Sequence, residues 1–351
     1  MTSDIHASVA APVRHFRFQG SGKGYFVVWL VNILLTLITL GIYLPWALIR
    51  ARRYFYENTD LEGARFSYHA TGSSIFVGWL CLLALYVIFL INVVHGNVIL
   101  QLCMMGLFIL FFPWLITQGL RYQMLMTEIN GVRFNFYASP LRAWWVMMGC
   151  PLLIMVGVGI IFSIFATMAA SSGSISAIVT VSIVGSLAVL LGIGVMQGVF
   201  AAQWYGMLAN NLQYGKLKFS GSFSMKKCIG IVLLSMLLFI PFIALVMVLI
   251  VPAMIELMQS AYLLQGDPEQ MAMMMGPMYG KIMLTYLIYI LGAIVCFTFA
   301  FVKLRAYLYS QLALEGDIRF SSTVTVGRML WIAISNMAVC LVTLFLAWPW
   351  A

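Results

Sequence analysis

Long apolar runs separated by short polar joints account for most of the chain. A helix needs about 20 residues to cross a hydrocarbon core of ~30 Å, and each run reaches that length. The runs lie near 25–49, 75–94, 98–120, 143–168, 176–202, 229–255, 282–302 and 329–350. This pattern predicts an all-α polytopic helical bundle of seven to eight membrane segments. We expect one multi-pass membrane domain over 25–351, preceded by a cytoplasmic tail, 1–24, that holds one strand.

Charged residues are scarce, and their distribution predicts the orientation. Only 8% of the 351 residues are charged and the mean hydropathy is +1.02, whereas a soluble domain carries about 25% charged residues. Fifteen of the nineteen basic residues fall in the joints 50–74, 121–142, 203–228 and 303–328. The positive-inside rule then predicts that these joints are cytoplasmic. The net charge of +9 does not indicate nucleic-acid binding, because apolar spans separate the basic residues.

The basic joints resemble one another, which indicates internal repeats. Three of them begin with a basic-aromatic helix end, and all four contain a basic residue followed by a phenylalanine, as in Arg65-Phe66, Arg133-Phe134, Lys218-Phe219 and Arg319-Phe320. The alternation of polar and apolar residues after a glycine predicts a short β-hairpin in each joint. In addition, 16–47 aligns with 320–351 without gaps, at an offset of 304 residues. Repeats of this kind occur in transporters and also in passive scaffolds.

The first apolar run contains a predicted helix break. The tail and the cluster Arg50–Arg53 are both expected in the cytoplasm, which one straight crossing by 25–49 cannot satisfy. Gly41 and Pro45, with Pro349 at the equivalent place in the second copy, interrupt helical hydrogen bonding. Two alternatives remain: a broken or re-entrant segment, or a plain span with the tail outside.

A polar face lies within the two matching apolar runs. Its members are Asn32, Thr36 and Thr39 in the first run and Asn336 and Thr343 in the second. Interhelical hydrogen bonding, worth about 1 kcal/mol in a membrane, is the favoured interpretation. The alternative is a substrate site beside a broken helix, as in transporters.

Three other features invite a functional interpretation. The basic residues at the ends of the spans are candidate contacts for anionic lipids. They are Arg52, Arg53, Arg121, Lys226, Lys227 and Arg305. Small residues at four-residue spacing within 182–202 favour close helix packing. The methionines of 271–278 have thioethers that suit Cu(I), but we favour an interfacial helix followed by a turn at Gly276–Pro277.

Three segments carry motifs that can be compared with a known family. They are Phe16-x-Phe18-x-Gly20-x-Gly22, Leu35-Thr36-x-x-Thr39-x-Gly41-Ile42-Tyr43-x-Pro45-Trp46-Ala47, and Arg53-Tyr54 followed by Asn58 and Gly63-x-Arg65-Phe66. These motifs resemble the YjgN family of bacterial inner-membrane proteins, a domain of unknown function. The similarity extends over essentially the whole chain. It implies a multi-pass inner-membrane protein and supplies no catalytic residues.

No pattern in the chain indicates catalysis. All ten acidic residues lie in joints or at span ends, and the motifs of metalloproteases, α/β-hydrolases and P-loop proteins do not occur. We therefore expect no enzyme, no cofactor and no metal site. The favoured hypothesis is transport or permeation of a small or lipidic substrate, and the alternative is a non-catalytic envelope scaffold or regulatory protein. Expected partners are membrane lipids, with a homo-oligomer or an envelope protein as further options.

Overall fold

The chain is mostly helical in the computed structural model, which describes residues 13–263, 268–315, 318–344 and 346–349. Its helices are α1 (Gly22–Ile38), α2 (Leu44–Glu57), α3 (Gly72–Val94), α4 (Val98–Leu125), α5 (Pro140–Trp144), α6 (Cys150–Ser171), α7 (Ile175–Asn211), α8 (Met225–Leu237), α9 (Ile240–Leu263), α10 (Pro268–Gln311) and α11 (Val326–Val342). A π-helical turn at Trp145–Gly149 connects α5 to α6.

Within this described part, six helical stretches are long and apolar enough to cross a membrane. They are Gly72–Val94, Val98–Leu125, Pro140–Ser171, Ser176–Asn211, Met225–Ile255 and Met278–Gln311. These match the six central runs of the sequence. The first and last runs instead begin with the shorter helices α1 and α11, of 17 residues each. Seven to eight membrane segments are therefore not confirmed.

The two short helices end in the same local geometry. Leu40 has φ +49° and Gly41 has φ +90°, so the backbone leaves the helical region directly after Thr39. Leu344, which aligns with Leu40 at the offset of 304 residues, has φ +48°. Left-handed backbone is unfavourable for leucine. A positive φ at both leucines therefore marks a specific turn that ends each helix.

Nine short strands occur in the described residues, and the strand pairs within each unit are antiparallel. They are β1 (Phe16–Phe18), β2 (Thr59–Leu61), β3 (Ala64–Tyr68), β4 (Thr127–Ile129), β5 (Val132–Phe136), β6 (Leu212–Tyr214), β7 (Leu217–Gly221), β8 (Leu312–Leu314) and β9 (Ile318–Arg319). The tight turn between β2 and β3 uses Glu62 and Gly63, with φ +52° and +91°. Asn130 and Gly131 have the same signs of φ between β4 and β5, as expected for hairpin turns that match strand twist.

The chain divides into two compact units. Unit 1 contains the described part of Met1–Tyr137, Leu212–Lys216 and Leu346–Ala351, and unit 2 contains that of Ala138–Asn211 and Leu217–Phe345. In unit 1 the strands β1 to β6 pair in chain order. A core of Ile49, Tyr68 and Ala70 lies between these strands and the helix ends. In unit 2 the strand β8 pairs with both β7 and β9.

Glycines on α7 allow two neighbouring helices to pack closely in unit 2. A Cβ at Gly185 or Gly192 would lie within 2.0 Å or 2.6 Å of side chains of α6. A Cβ at Gly198 would lie 2.5 Å from Cα of Ile229, which is backbone of α8. Small residues let helix backbones approach one another in membranes. This contact pattern is the close packing expected for 182–202.

Helix α10 corrects one expectation. Its backbone is helical from Pro268 to Gln311, so the predicted turn at Gly276–Pro277 is wrong. A proline interrupts only the hydrogen bond of its own missing N–H, and membrane helices tolerate this loss. The side chains of residues 271–277, and with them the copper alternative, lie outside the described residues.

A tyrosine hydroxyl links a helix end to the start of another helix in three of the four joints. Tyr54 contacts Ser21, Tyr122 contacts Ser74, and the hydroxyl of Tyr307 accepts from the backbone N–H of Ser224 at 2.8 Å. In the remaining joint, Gly206 occupies the position of the tyrosine, because it lies as many residues before the turn glycine Gly215 as Tyr54 lies before Gly63. The ring of Phe223 fills that space, 3.6 Å from where a Cβ would be.

Candidate functional site

Helices α1 and α2 form an antiparallel helical hairpin. The ring of Tyr25 lies 5.4 Å from that of Tyr54 and 4.8 Å from that of Phe55. Further along, Asn32 Nδ2 donates to the carbonyl oxygen of Ala47 at 3.0 Å. The Tyr54 hydroxyl also donates to the carbonyl oxygen of Ser21 at 2.7 Å and accepts from its N–H at 3.0 Å. The segment 25–49 therefore reverses its direction instead of continuing as one helix.

The contacts across the hairpin fix how far its turn projects beyond the first arginine of α2. In an antiparallel hairpin, residues at the same height have residue numbers with a constant sum. Tyr25 with Tyr54 and Asn32 with Ala47 give the same sum, and Trp29 with Arg50 gives it too, so Arg50 lies level with Trp29. The nine residues that follow Trp29 in α1 extend about 14 Å further, at about 1.5 Å per residue. That length is close to half of a ~30 Å hydrocarbon core.

The polar residues of α1 hold the hairpin together. Asn32 is 8% exposed, and while its amide nitrogen binds α2, its buried Oδ1 has no partner among the described residues. The Thr39 hydroxyl donates to the carbonyl oxygen of Leu35 at 2.7 Å and accepts from the Tyr43 N–H at 3.0 Å, which closes the turn. The carbonyl oxygen of Thr36 accepts from Gly41 N–H at 2.7 Å. These hydrogen bonds favour the interpretation that the polar residues hold helices together over the alternative of a substrate site. The buried Oδ1 of Asn32 is an additional acceptor.

The equivalent residues of the second copy lie in unit 2. The Thr343 hydroxyl donates to the carbonyl oxygen of Val339 at 2.7 Å, as that of Thr39 does to Leu35. Asn336 lies on α11. The structure thus gathers Asn32, Thr36 and Thr39 in one hairpin and repeats part of that geometry in the other unit. A site shared by the two sets stays a prediction.

The predicted break residues divide into two roles. Gly41 is part of the turn, with φ +90°. Pro45 lies in the first turn of α2, where a missing N–H removes no helical bond, so it starts a helix instead of breaking one. Pro349 is buried in the described residues that follow α11.

Sequence reasoning missed Arg50. Its guanidinium carbon lies 5.8 Å from the centre of the Tyr43 ring, a cation–π distance. Tyr43 stands at the turn of the hairpin, and helical side chains point toward the helix N-terminus, so the charge of Arg50 is directed toward the apolar turn. The available signal in the sequence was the spacing of seven residues between Tyr43 and Arg50, which is two helical turns and places both on one face of a helix. Around this turn Leu37, Ile38 and Leu40 are 67%, 77% and 91% exposed.

Several of the predicted lipid-contacting residues have protein partners. Arg52 Nη1 donates to the Tyr68 hydroxyl at 3.5 Å, and Arg53 Nη2 donates to the carbonyl oxygen of Ala70 at 2.9 Å. In unit 2 the guanidinium of Arg305 and the ammonium of Lys227 each lie over a tyrosine ring, at 5.2 Å and 5.4 Å. Arg121 and Lys226 are exposed.

A polar cluster on the strands brings a serine, a histidine and a glutamate together. Ser67 Oγ lies 3.1 Å from His69 Nε2, and Glu128 Oε2 lies 3.1 Å from the same nitrogen. Arg133 Nε lies 3.4 Å from that carboxylate oxygen. In a Ser–His–acid triad the serine and the acid contact opposite nitrogens of the imidazole ring. Here both contact Nε2, so the cluster does not have the triad arrangement, and Arg133 with Glu128 forms an interstrand ion pair. Among the residues available for a metal search, no group of three potential ligands is present.

Comparisons with known proteins point to one family. Residues 13–351 match the family described as bacterial protein of unknown function, DUF898. The inner membrane protein YjgN of Salmonella typhimurium is 37% identical over 334 residues, which are 95% of this chain and 83% of that protein. YjgN of Escherichia coli K12 is 33% identical over 339 residues, 96% of this chain and 85% of its own. No solved structure is significantly similar.

Proposed function

The chain belongs to the DUF898 family of bacterial proteins, and for this family member we propose permeation of a lipidic substrate along the α1–α2 hairpin. The observation that carries the proposal is the hairpin itself. It reverses direction about 14 Å beyond Arg50, which is about half the thickness of a hydrocarbon core. The relatives are named inner membrane proteins, which agrees with the six long apolar helices.

With Arg50 at the membrane surface, a turn that projects this far stays within one leaflet. This turn presents Leu37, Ile38 and Leu40, which are highly exposed and suited to acyl chains. A hydrophobic element shorter than the bilayer is accommodated by local thinning. Thinning shortens the apolar distance that a lipid headgroup crosses, and this effect would speed its passage between leaflets.

Two side chains of the hairpin suit a polar headgroup. Arg50 places a positive charge toward the turn, beside the ring of Tyr43. Asn32 offers a carbonyl oxygen with no partner in the described structure, on the same hairpin. Charges within a membrane are unfavourable unless they have a function or a partner. We assign Arg50 the attraction of an anionic headgroup and Asn32 a polar contact along the path.

Lipid transfer in reconstituted vesicles tests this proposal. Vesicles carrying fluorescent phosphatidylglycerol in both leaflets are treated with an impermeant reductant, and the fraction of accessible label is followed over time. We expect full loss of signal with the protein and half loss without it. Because one basic contact with anionic lipid is worth about 1 kcal/mol, Arg50→Gln should slow transfer about fivefold.

Arg65→Gln is the matched control. Arg65 lies on β3 and donates to Gln19 at 3.1 Å, outside the hairpin. This variant should transfer lipid at the wild-type rate. Folded wild-type protein that transfers no lipid would overturn the proposal, as would equal rates for the two variants.

A non-catalytic scaffold is the second candidate function. It is favoured by the glycine-dependent packing of α7 against α6 and α8, which gives unit 2 a closely packed interior. Folded protein that moves no lipid in the vesicle assay would favour this candidate.

A further inference from the structure

A groove in unit 2 lies where α5 meets the π-helical turn. Its lining residues are Ser139, Leu141, Arg142, Trp144 and Trp145, and its volume is about 470 Å³. The indoles and Leu141 supply an apolar wall, and the guanidinium of Arg142 supplies a positive charge. The groove lies at the N-terminal end of the stretch Pro140–Ser171, one of the six that are long enough to cross a membrane.

Local backbone geometry builds the groove. Residues Trp145–Gly149 form a π-helical turn, a feature found frequently at functional sites. A Cβ at Gly149 would lie 2.8 Å from the Trp145 ring and 3.2 Å from the Trp144 ring. The glycine therefore leaves room for both indoles to pack against the same part of the backbone. A regular helix with alanine at this position would displace them.

Two polar groups of the groove, on Arg142 and Trp144, lack a protein partner in the described residues. Arg142 is exposed, and the described residues provide its side chain with no ion pair. The Trp144 indole N–H is buried without a hydrogen-bond partner in that same part of the chain, which is unfavourable unless an acceptor satisfies it. Ser139 Oγ instead accepts from the backbone N–H of Arg142 at 3.3 Å and caps α5.

The ligand chemistry follows from this combination of groups. An unpaired guanidinium selects an anion, and phosphate is a preferred partner. A soluble phosphate would leave the apolar wall exposed, whereas a lipid places acyl chain or glycerol carbon against it. Tryptophan and arginine side chains both favour the headgroup level of a bilayer. Leu141 and Trp145, 79% and 47% exposed, lie beside the charge and can contact the acyl region.

We propose that this groove binds one anionic phospholipid, with its phosphodiester at Arg142 and its apolar part against the indoles. The site goes beyond the proposed permeation, because a lipid bound here need not be a lipid that is moved. A protein that permeates nothing would still bind phosphatidylglycerol in this groove.

Native mass spectrometry of the full chain in detergent tests the proposal, with phosphatidylglycerol and phosphatidylcholine as probes. We expect wild-type protein to bind phosphatidylglycerol more tightly than phosphatidylcholine. Arg142→Gln should weaken phosphatidylglycerol binding about fivefold, as one basic contact implies, and Arg142→Lys should retain most of it. Lys216→Gln, at a strand turn outside the groove, is the charge control and should leave the affinity unchanged.

A second measurement tests the apolar wall. Phosphatidylglycerol with brominated chains quenches tryptophan fluorescence on contact, and we expect Trp145→Leu to remove part of that quenching and to weaken binding. Trp331→Leu is the matched control, since Trp331 is 74% exposed on α11. Equal binding of the two lipids by wild-type protein would refute the proposal. So would equal effects of Arg142→Gln and Lys216→Gln, or of the two tryptophan variants.

Discussion

Gly198→Ala is a substitution whose effect follows directly from the packing of α7 against α8. The added Cβ would lie 2.5 Å from Cα and 2.7 Å from N of Ile229, and both atoms belong to the backbone of α8. Ordinary contact begins at 3.4 Å, so α7 and α8 must separate by nearly 1 Å at this point. Overpacking of this kind costs about 1–3 kcal/mol. Alanine also favours a helix by about 1 kcal/mol over glycine, which offsets part of the loss.

Gly230→Ala separates these two effects. Gly230 lies inside α8 and its added Cβ would meet nothing within 4 Å, so only the gain in helix propensity applies. The free energy of unfolding of both variants is measured from the loss of helical circular dichroism as dodecyl sulfate is added to protein in mild detergent. We expect Gly198→Ala to be less stable than Gly230→Ala by about 1–3 kcal/mol. Equal stabilities would show that α7 and α8 do not pack as closely as described here.

Two further variants address unit 1. Gly72→Ala places a Cβ against the ring of Trp46 on α2, at 2.2 Å, whereas the Cβ of Gly78→Ala meets nothing within 4 Å. The same unfolding measurement should therefore show a lower free energy of unfolding for Gly72→Ala than for Gly78→Ala. Tyr54→Phe removes both hydrogen bonds to Ser21 and should cost about 1–2 kcal/mol, whereas Tyr286→Phe, at a residue 62% exposed, should change stability little. A reversed order within either pair would contradict the described contacts.

Apolar run length predicted the six central helices because a membrane-spanning helix satisfies its own backbone hydrogen bonds whatever its neighbours are. At the two terminal runs a membrane span is not confirmed, for a local reason. The turn after α1 depends on a positive φ at Leu40, and leucine rarely adopts that conformation. Gly41 and Pro45 indicated where the helix would break, but Pro45 was assigned the wrong role because a proline that ends one helix also suits the start of the next.

The candidate site was predictable in part. Asn32 and Thr39 were identified as polar groups in an apolar run, and both contribute to the hairpin. Arg50 was missed because it stood at the end of a run, where an arginine is ordinary. The groove of Arg142 was missed because two adjacent tryptophans near a membrane interface are equally ordinary. The room that Gly149 leaves for their rings becomes visible only with the π-helical turn in place.

Scarcity of charge and length of apolar runs were enough to predict a helical membrane protein, because both are properties of composition and order along the chain. The family was a separate inference, which rested on short motifs such as Phe16-x-Phe18-x-Gly20-x-Gly22. The choice between a reversed segment and a plain span for 25–49 required the folded chain, since it depends on the contacts of Tyr25 with Tyr54 and of Asn32 with Ala47 across the hairpin. These contacts join residues that are 15 and 29 positions apart in the chain. They form only after the backbone has turned, so no local sequence pattern predicts them.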